Sequence, residues 1–251
     1  MYFLIIVKLS KMLKMLLFLK ICDKIILVIV LTEIYFIRHC EALGNKNRLF
    51  QGVSDFDISE IGEKQLEFLK KRFENVKLDK VYSSPLIRAF KTGLAVKGDK
   101  DIPIEKCQGL IELDGGIVEG KPFAETFSSM PHLADAWDNH PQDFHPQGGE
   151  SMRHAYERIY ETVLNLAKEN RGKTIACTTH GGVTRSLMCR IMYDDINKLK
   201  DTPWTDNTAI AKILVDDNNN LTLEYFNDSK HLPEEYLPKR NRVSEYMKVK
   251  K

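Results

Sequence analysis

The chain is short of the features that mark specialised classes. Cysteine is sparse: Cys22, Cys40, Cys107, Cys177 and Cys189 are odd in number, and no two form a CxxC pair. Neither a disulfide framework nor a zinc site is indicated, and a reduced, cytoplasmic setting is the expectation. Net charge is nearly absent, +2 over 251 residues. Such a field is too weak to gather nucleic acid, so no nucleic-acid partner is expected. Internal repeats and low-complexity tracts are missing as well, which argues against a solenoid or a fibrous array.

A clean membrane span is also lacking. Residues 1–30, "MYFLIIVKLSKMLKMLLFLKICDKIILVIV", are apolar, but Lys8, Lys11, Lys14, Lys20 and Lys24 interrupt them. A span of about 20 apolar residues does not tolerate that many charges. No small-residue cleavage site follows and no compact basic region precedes an apolar core, so a signal peptide is a poor fit. Two expectations stand. The segment is a basic amphipathic anchor, the one route to membrane contact. Or it lies upstream of a native start at Leu31, from a non-AUG codon. The second is preferred, because "LTEIYFIRH" resembles a natural beginning before a first strand. The expected division is residues 1–30 as an extension and 31–251 as one domain.

What is present is ordinary in bulk, 43% hydrophobic and 29% charged, enough for a soluble core. Periodicity places a buried strand over Glu33–Ile37 and a helix over Ser59–Phe73, with Ile61, Leu66, Leu69 and Phe73 near one face. A strand over Asp79–Ser84 leads into a helix with Ser84 as N-cap and Pro85 in the first turn. Residues 121–150, rich in Pro, His and aromatics, are expected as a loop and short-helix insertion over a site, with Trp137 and Phe144 packing it. Ser151 caps a helix whose stripe is Ala155, Ile159, Val163 and Leu166, and Gly172 ends it. Lys173–His180 is a strand, a helix follows, and "AIAKILV" and "LTLEYF" are late strands. The alternation predicts an α/β protein, a three-layer α/β/α sandwich on a mostly parallel sheet.

Chemistry-bearing residues gather at strand ends. Arg38-His39 and His180 each terminate an apolar strand, where open α/β sheets place their ligand crevice. Arg88 falls in the first turn of a helix, whose N–H groups face outward. Gly181-Gly182 after His180 lets backbone approach a ligand closely. Two histidines, two arginines and two helix N-termini suit one small anion, and phosphate fits best. Arg binds its oxygens bidentately. A neutral imidazole can attack phosphorus, and a second, charged imidazole would stabilise the equatorial oxygens.

Seven stretches, "IRHCEALGN", "FQGVSDFDISEIG", "VYSSPLIRAFKT", "ELDGGIVEG", "PQGGES", "THGGV" and "NDSKHL", occur in an order that resembles the histidine phosphatase superfamily, the phosphoglycerate mutase-like proteins. The resemblance runs from about Leu31 to His231. It implies His39 as the nucleophile that becomes phosphohistidine, and Arg38, Arg88 and His180 as the rest of the phosphate pocket. It implies Asn45 as a further donor and Gln51-Gly52 as the loop touching phosphate or leaving group. Gly181 would lie against the ligand, and Glu112 would be the general acid. It implies a small-molecule phosphate ester as substrate and no metal or other cofactor. Cys40 departs from the family, which most often has Gly there. An ordinary φ or strain is required, and the thiol is either an accessible thiolate or, in the preferred reading, a buried space-filler. Val118 replaces a common Trp, which bears on substrate preference.

Several residues have plainer readings. Glu119 is expected to brace a loop, and Glu41 and Glu105 are other carboxylates near the motifs. Glu150 either bonds near the pocket or serves a helix entry. His132, His140, His145 and His154 match no ligand spacing. The basic stretch from Leu237 to Lys251 reads as a solvated terminus. The leading function is phosphomonoester hydrolysis. The alternatives are a cofactor-dependent phosphoglycerate mutase and a non-catalytic ester- or protein-binding member. Mutases carry a motif like E-R-H-Y-G-x-L around the acid, which "CQGLIELDGGIVEG" does not resemble.

Overall fold

The computed structural model of the protein describes residues 15–21 and 24–237. Strands Met15–Ile21 (β1) and Lys24–Val30 (β2) pair antiparallel in a two-stranded sheet of their own. The anchor expectation for residues 1–30 therefore falls partly on residues 1–14, outside the described residues. So does most of the expected basic terminus, residues 238–251.

The main sheet has six strands: Thr32–Arg38 (β3), Lys80–Ser83 (β4), Ile104–Lys106 (β5), Thr174–Thr179 (β6), Ile210–Val215 (β7) and Leu221–Asp228 (β8). Their spatial order is β5-β4-β6-β3-β7-β8. The first four run parallel, and β7 and β8 extend the sheet antiparallel. Side chains alternate across it as strand geometry requires. Ile34, Phe36, Ile175 and Cys177 face one apolar cluster, and Ile37, Val81 and Ala176 face another.

Helices cover both faces and complete the three layers expected. Met152–Glu169 (α6) and Gly181–Tyr193 (α7) pack on the first cluster through Ile159, Val163, Leu187 and Met188. Glu60–Phe73 (α2) and Ile87–Lys97 (α3) pack on the second through Leu69, Phe73 and Val96. A short turn of helix, Leu43–Lys46 (α1), follows the end of β3. The 121–150 insertion forms Phe123–Ser129 (α4) and Pro131–Asn139 (α5). It has its own core, in which buried Phe127, Leu133 and Phe144 pack with Phe50 and partly buried Trp137.

Local signals read well where the partner is local. Ser59 Oγ accepts from Gly62 N at 3.0 Å and Ser151 Oγ from His154 N at 3.2 Å, both as helix caps. Gly172 takes φ +75° just after α6. Two expectations need correction. Ile61 is 41% exposed, because α2 buries Gly62, Gln65, Leu69 and Phe73 instead. Ser84 does not cap α3, which starts at Ile87 after Leu86; the Ser84 hydroxyl has another partner, described below.

Gly62 shows what fixes α2. A Cβ there would lie 2.1 Å from the carbonyl oxygen of Glu41, two residues past His39. Alanine normally stabilises a helix over glycine by about 1 kcal/mol, but overpacking of this kind costs about 1–3 kcal/mol. The steric cost wins because the obstruction is backbone. Gly62→Ala is expected to lower Tm in a thermal melt, and an unchanged or raised Tm would contradict this packing.

Candidate active site

Three neighbouring parallel strands end at one edge of the sheet. Arg38 pairs with Thr179 across β3 and β6, and Ser83 with Thr178 across β4 and β6. The next residues are therefore brought together: His39, Ser84 and His180. The two imidazole rings lie 5.2 Å apart, tilted by 56°.

His39 is buried, 2% exposed. Its Nδ1 is 2.6 Å from the carbonyl oxygen of Cys40. A carbonyl only accepts, so Nδ1 carries the proton and Nε2 keeps its lone pair. Burial, then the charges of Arg88 and Arg38, push its pKa well below the usual imidazole value. The backbone around it is held from four directions. His39 N donates to Thr179 O at 2.8 Å. Cys40 N donates to Thr92 Oγ1 at 3.1 Å, and Glu41 N to Gln65 Oε1 at 2.7 Å. Asn207 Nδ2 donates to His39 O at 3.0 Å.

His180 is fully buried, with Nε2 2.7 Å from Ser84 Oγ. Its Nδ1 is buried and has no hydrogen-bond partner. Burial, then Arg88, His39 and Arg38, push its pKa well below normal. Burial and these neighbouring cations favour the neutral form of both imidazoles; the charged second imidazole expected from the sequence concerns the pocket with an anion in it.

Arg88 is also fully buried. Its guanidinium donates to Ser54 O at 2.7 Å, Gly52 O at 2.7 Å and Gln51 O at 3.2 Å. Burial lowers its pKa to about 10, against the opposing charge of Glu112, so it stays a cation at neutral pH. Glu119 holds the same loop from the other side, accepting from Val53 N at 2.9 Å, Ser54 N at 3.0 Å and the Ser54 hydroxyl. The loop-bracing role expected of Glu119 is what the geometry gives. Gln51, half-buried beside Gly44, has neither end of its buried amide hydrogen-bonded. Gly52 has no room for a side chain, since a Cβ would lie 2.0 Å from Leu113 O.

Glu112 caps the N-terminus of α7. Its carboxylate accepts from Gly182 N at 2.9 Å and Val183 N at 3.1 Å, and from Leu113 N at 2.9 Å. The glycine pair now has a specific reason. A Cβ at Gly181 would sit 3.3 Å from the Arg38 guanidinium carbon, and one at Gly182 2.7 Å from Glu112 Oε1. Arg38 itself donates to Thr205 O. Asn45 is turned to its own helix: its Oδ1 accepts from Ala42 N at 3.0 Å, leaving Nδ2 as the donor end.

The remaining candidates are placed elsewhere. Glu150 is bound by both arms of Arg158, at 2.8 and 2.7 Å, and contacts His154. Burial tends to raise its pKa, but Arg158 prevails and holds it low. Glu41 accepts from Ser59 Oγ at 2.6 Å, and Glu105 pairs with Lys80 at 2.8 Å. Among the described residues, no three His, Cys, Asp or Glu side chains gather as an ion site. Cys40 has ordinary φ and is fully buried, and burial pushes its thiol up to about 12. It is the space-filler, not an accessible thiolate. Sequence reasoning missed Ser84, Thr92, Gln65 and Asn207. Ser84 stood inside a quoted motif, but its neighbour Pro85 suggested a cap.

A model of the histidine phosphatase superfamily (branch 1) matches residues 34–229. The chain belongs to this family. Phosphoserine phosphatase 1 of Hydrogenobacter thermophilus is 29% identical over 210 residues, covering 82% of this chain and 97% of that protein. Bacillus stearothermophilus YhfR superposes with a TM-score of 0.76 at 30% identity, over 80% of this chain and 98% of that one. A phosphoserine phosphatase from Entamoeba histolytica, in complex with 3-phosphoglyceric acid, gives 0.69 at 26% identity, over 80% and 100%. The α/β fold is that of the superfamily, and the class of the chain is that of a phosphatase, a hydrolase.

Both histidines titrate lower in the folded protein than in the unfolded chain. As pH falls, the unfolded chain takes up protons first. Stability from this source is full above the unfolded value of about 6.5, and declines below it by about 1.4 kcal/mol per pH unit for each histidine. Urea midpoints at about pH 7.5 and 5.5 should differ in this sense, with a shallower dependence in His39→Gln. Equal midpoints would show that the histidines charge freely in the fold.

Proposed function

We propose that the protein hydrolyses a small-molecule phosphomonoester, without a metal, through a phosphohistidine on His39. One observation carries this reading: the Nδ1 proton of His39 is committed to Cys40 O, so Nε2 is the lone pair offered beside the buried guanidinium of Arg88 and the half-buried Arg38, whose charges and the burial of the ring favour the neutral imidazole. In the first step Nε2 attacks phosphorus, the P–O bond to the leaving group breaks, and Glu112 protonates the departing oxygen. In the second, water attacks phosphorus, Glu112 takes its proton, and phosphate leaves His39 neutral again.

Charge stabilisation comes from Arg38 and Arg88, in the role a metal often has in phosphoryl transfer. A dianionic ester beside His180 favours the charged form of that imidazole, the state expected of the second histidine, while Nε2 of His39 is taken up by the attack on phosphorus. Gln51, the donor end of Asn45 and His180 Nδ1 supply further polar groups to the phosphate. The names of the relatives put phosphoserine and phosphoglycerates first among esters to try.

Phosphate release should be measured across a panel of phosphomonoesters in EDTA, with interconversion of 3- and 2-phosphoglycerate as the mutase control. Turnover is expected to survive the chelator and to vanish in His39→Ala. Glu112→Gln should lose about 10²–10⁴-fold in kcat on esters with poor leaving groups. A labelled enzyme should carry acid-labile phosphate on histidine. Wild-type-like activity in His39→Ala would sink the mechanism, and interconversion without net phosphate release would favour the mutase.

A further inference from the structure

Thr208 is fully buried and adopts φ +56°, the left-handed region that β-branched residues avoid. It stands two residues before β7, beside the end of β3. Its N–H donates to Arg38 O at 3.1 Å and, more weakly, to His39 O at 3.4 Å. Asn207 Nδ2 reaches the same His39 carbonyl at 3.0 Å. These two residues therefore hold the peptide that carries the nucleophile.

What holds them comes from the far end of the chain. Thr208 Oγ1 is 3.1 Å from His231 Nε2. Asp206 N donates to Asn227 Oδ1 at 2.7 Å, and Asn227 Nδ2 returns to Asp206 Oδ2 at 3.2 Å. Ser229 Oγ joins the same carboxylate at 3.2 Å. Asn227 is itself at φ +56°. Residues 227–231 thus grip residues 206–208 at both ends. Burial pushes His231 down to about 4, so this tie is a neutral hydrogen bond at working pH.

We propose that Thr208 and His231 are positioning residues for His39: the segment after β8 locks the 206–208 loop in its left-handed conformation, and the loop fixes where the imidazole stands. The inference rests on His39 being the nucleophile. Strain at a non-glycine residue persists only where the surroundings over-determine it. A turn needed for folding alone would be served by glycine, which takes this φ without strain. The chain uses Thr, whose hydroxyl reaches His231. Attack at phosphorus is sensitive to such placement, because a shift of about 1 Å in a reacting group can cost about 10²-fold.

The test uses the full chain with p-nitrophenyl phosphate, whose leaving group needs no proton, so that single-turnover nitrophenol release isolates the attack by His39. His231→Ala and Thr208→Gly are expected to lower that rate and kcat by about 10- to 100-fold. KM should stay nearly constant, and circular dichroism should show folded protein. His231→Gln places an amide nitrogen near the Nε2 position, and Thr208→Ser keeps the hydroxyl; both should recover most of the rate. Should Thr208→Gly fail to fold, the half-buried His231 pair carries the test. Folded Ala and Gly variants with wild-type single-turnover rates would overturn the proposal, as would losses confined to KM. Phosphatase turnover in a wild-type enzyme that never carries phosphate on His39 would instead overturn the nucleophile reading, and this inference with it.

Discussion

The site depends on keeping Arg88 charged in the interior. A buried cation costs several kcal/mol unless its surroundings compensate, and here every hydrogen bond of the guanidinium goes to a backbone carbonyl of residues 51–54. That requirement shapes the neighbourhood. The loop must fold so that its carbonyls converge, and Glu119 fastens the other side of it. Glycine is needed at position 52 because the loop passes against Leu113. Burial first, and this same charge second, push the pKa values of His39 and His180 down. An imidazole whose neutral form is favoured in this way is suited to the nucleophilic role proposed for His39.

Rigidity is the second theme, and it is mostly main-chain. The peptide groups of residues 38–41 are bonded to β6, to α3, to α2 and to the 206–208 loop. Each partner belongs to an element that is packed for its own reasons. The end of β3 therefore inherits the stability of both faces of the sheet. A side chain with few degrees of freedom on a backbone with none left is what in-line attack asks for.

Much of this was legible in the sequence, and the division follows distance along the chain. The cap Ser151 was read correctly because the group it bonds is three residues away. Ser84 was misread because its partner, His180, is 96 residues away. Ile61 was misread because α2 is turned by the close approach of Gly62 to Glu41, a tertiary constraint that periodicity does not carry. The histidines, arginines and Glu112 were singled out from motif order, and the fold brings His39 and His180 together with Arg88 and Arg38 close enough to shift both. The downward shift of the His180 pKa was not legible, since it follows from burial and from charges that only the fold assembles. Asn207, Thr208 and His231 belong to the same class: ordinary residue types whose significance lies in where the chain returns.

The stack of Trp137 on Trp204, 5.6 Å between rings, has a consequence for modularity. Trp137 belongs to the insertion, while Trp204 lies over Arg185 at 4.7 Å and 3.5 Å from where a Gly181 side chain would be. Its neighbour Thr205 receives Arg38. The insertion is thus joined to the surroundings of Arg38 by one aromatic contact as well as by its two ends. A chimera that exchanges residues 121–150 for those of another family member would not be a clean cassette swap. Without an aromatic ring at the Trp137 position, Trp204 would lose one of its two faces, and the disturbance would travel to Arg38 before any substrate was chosen.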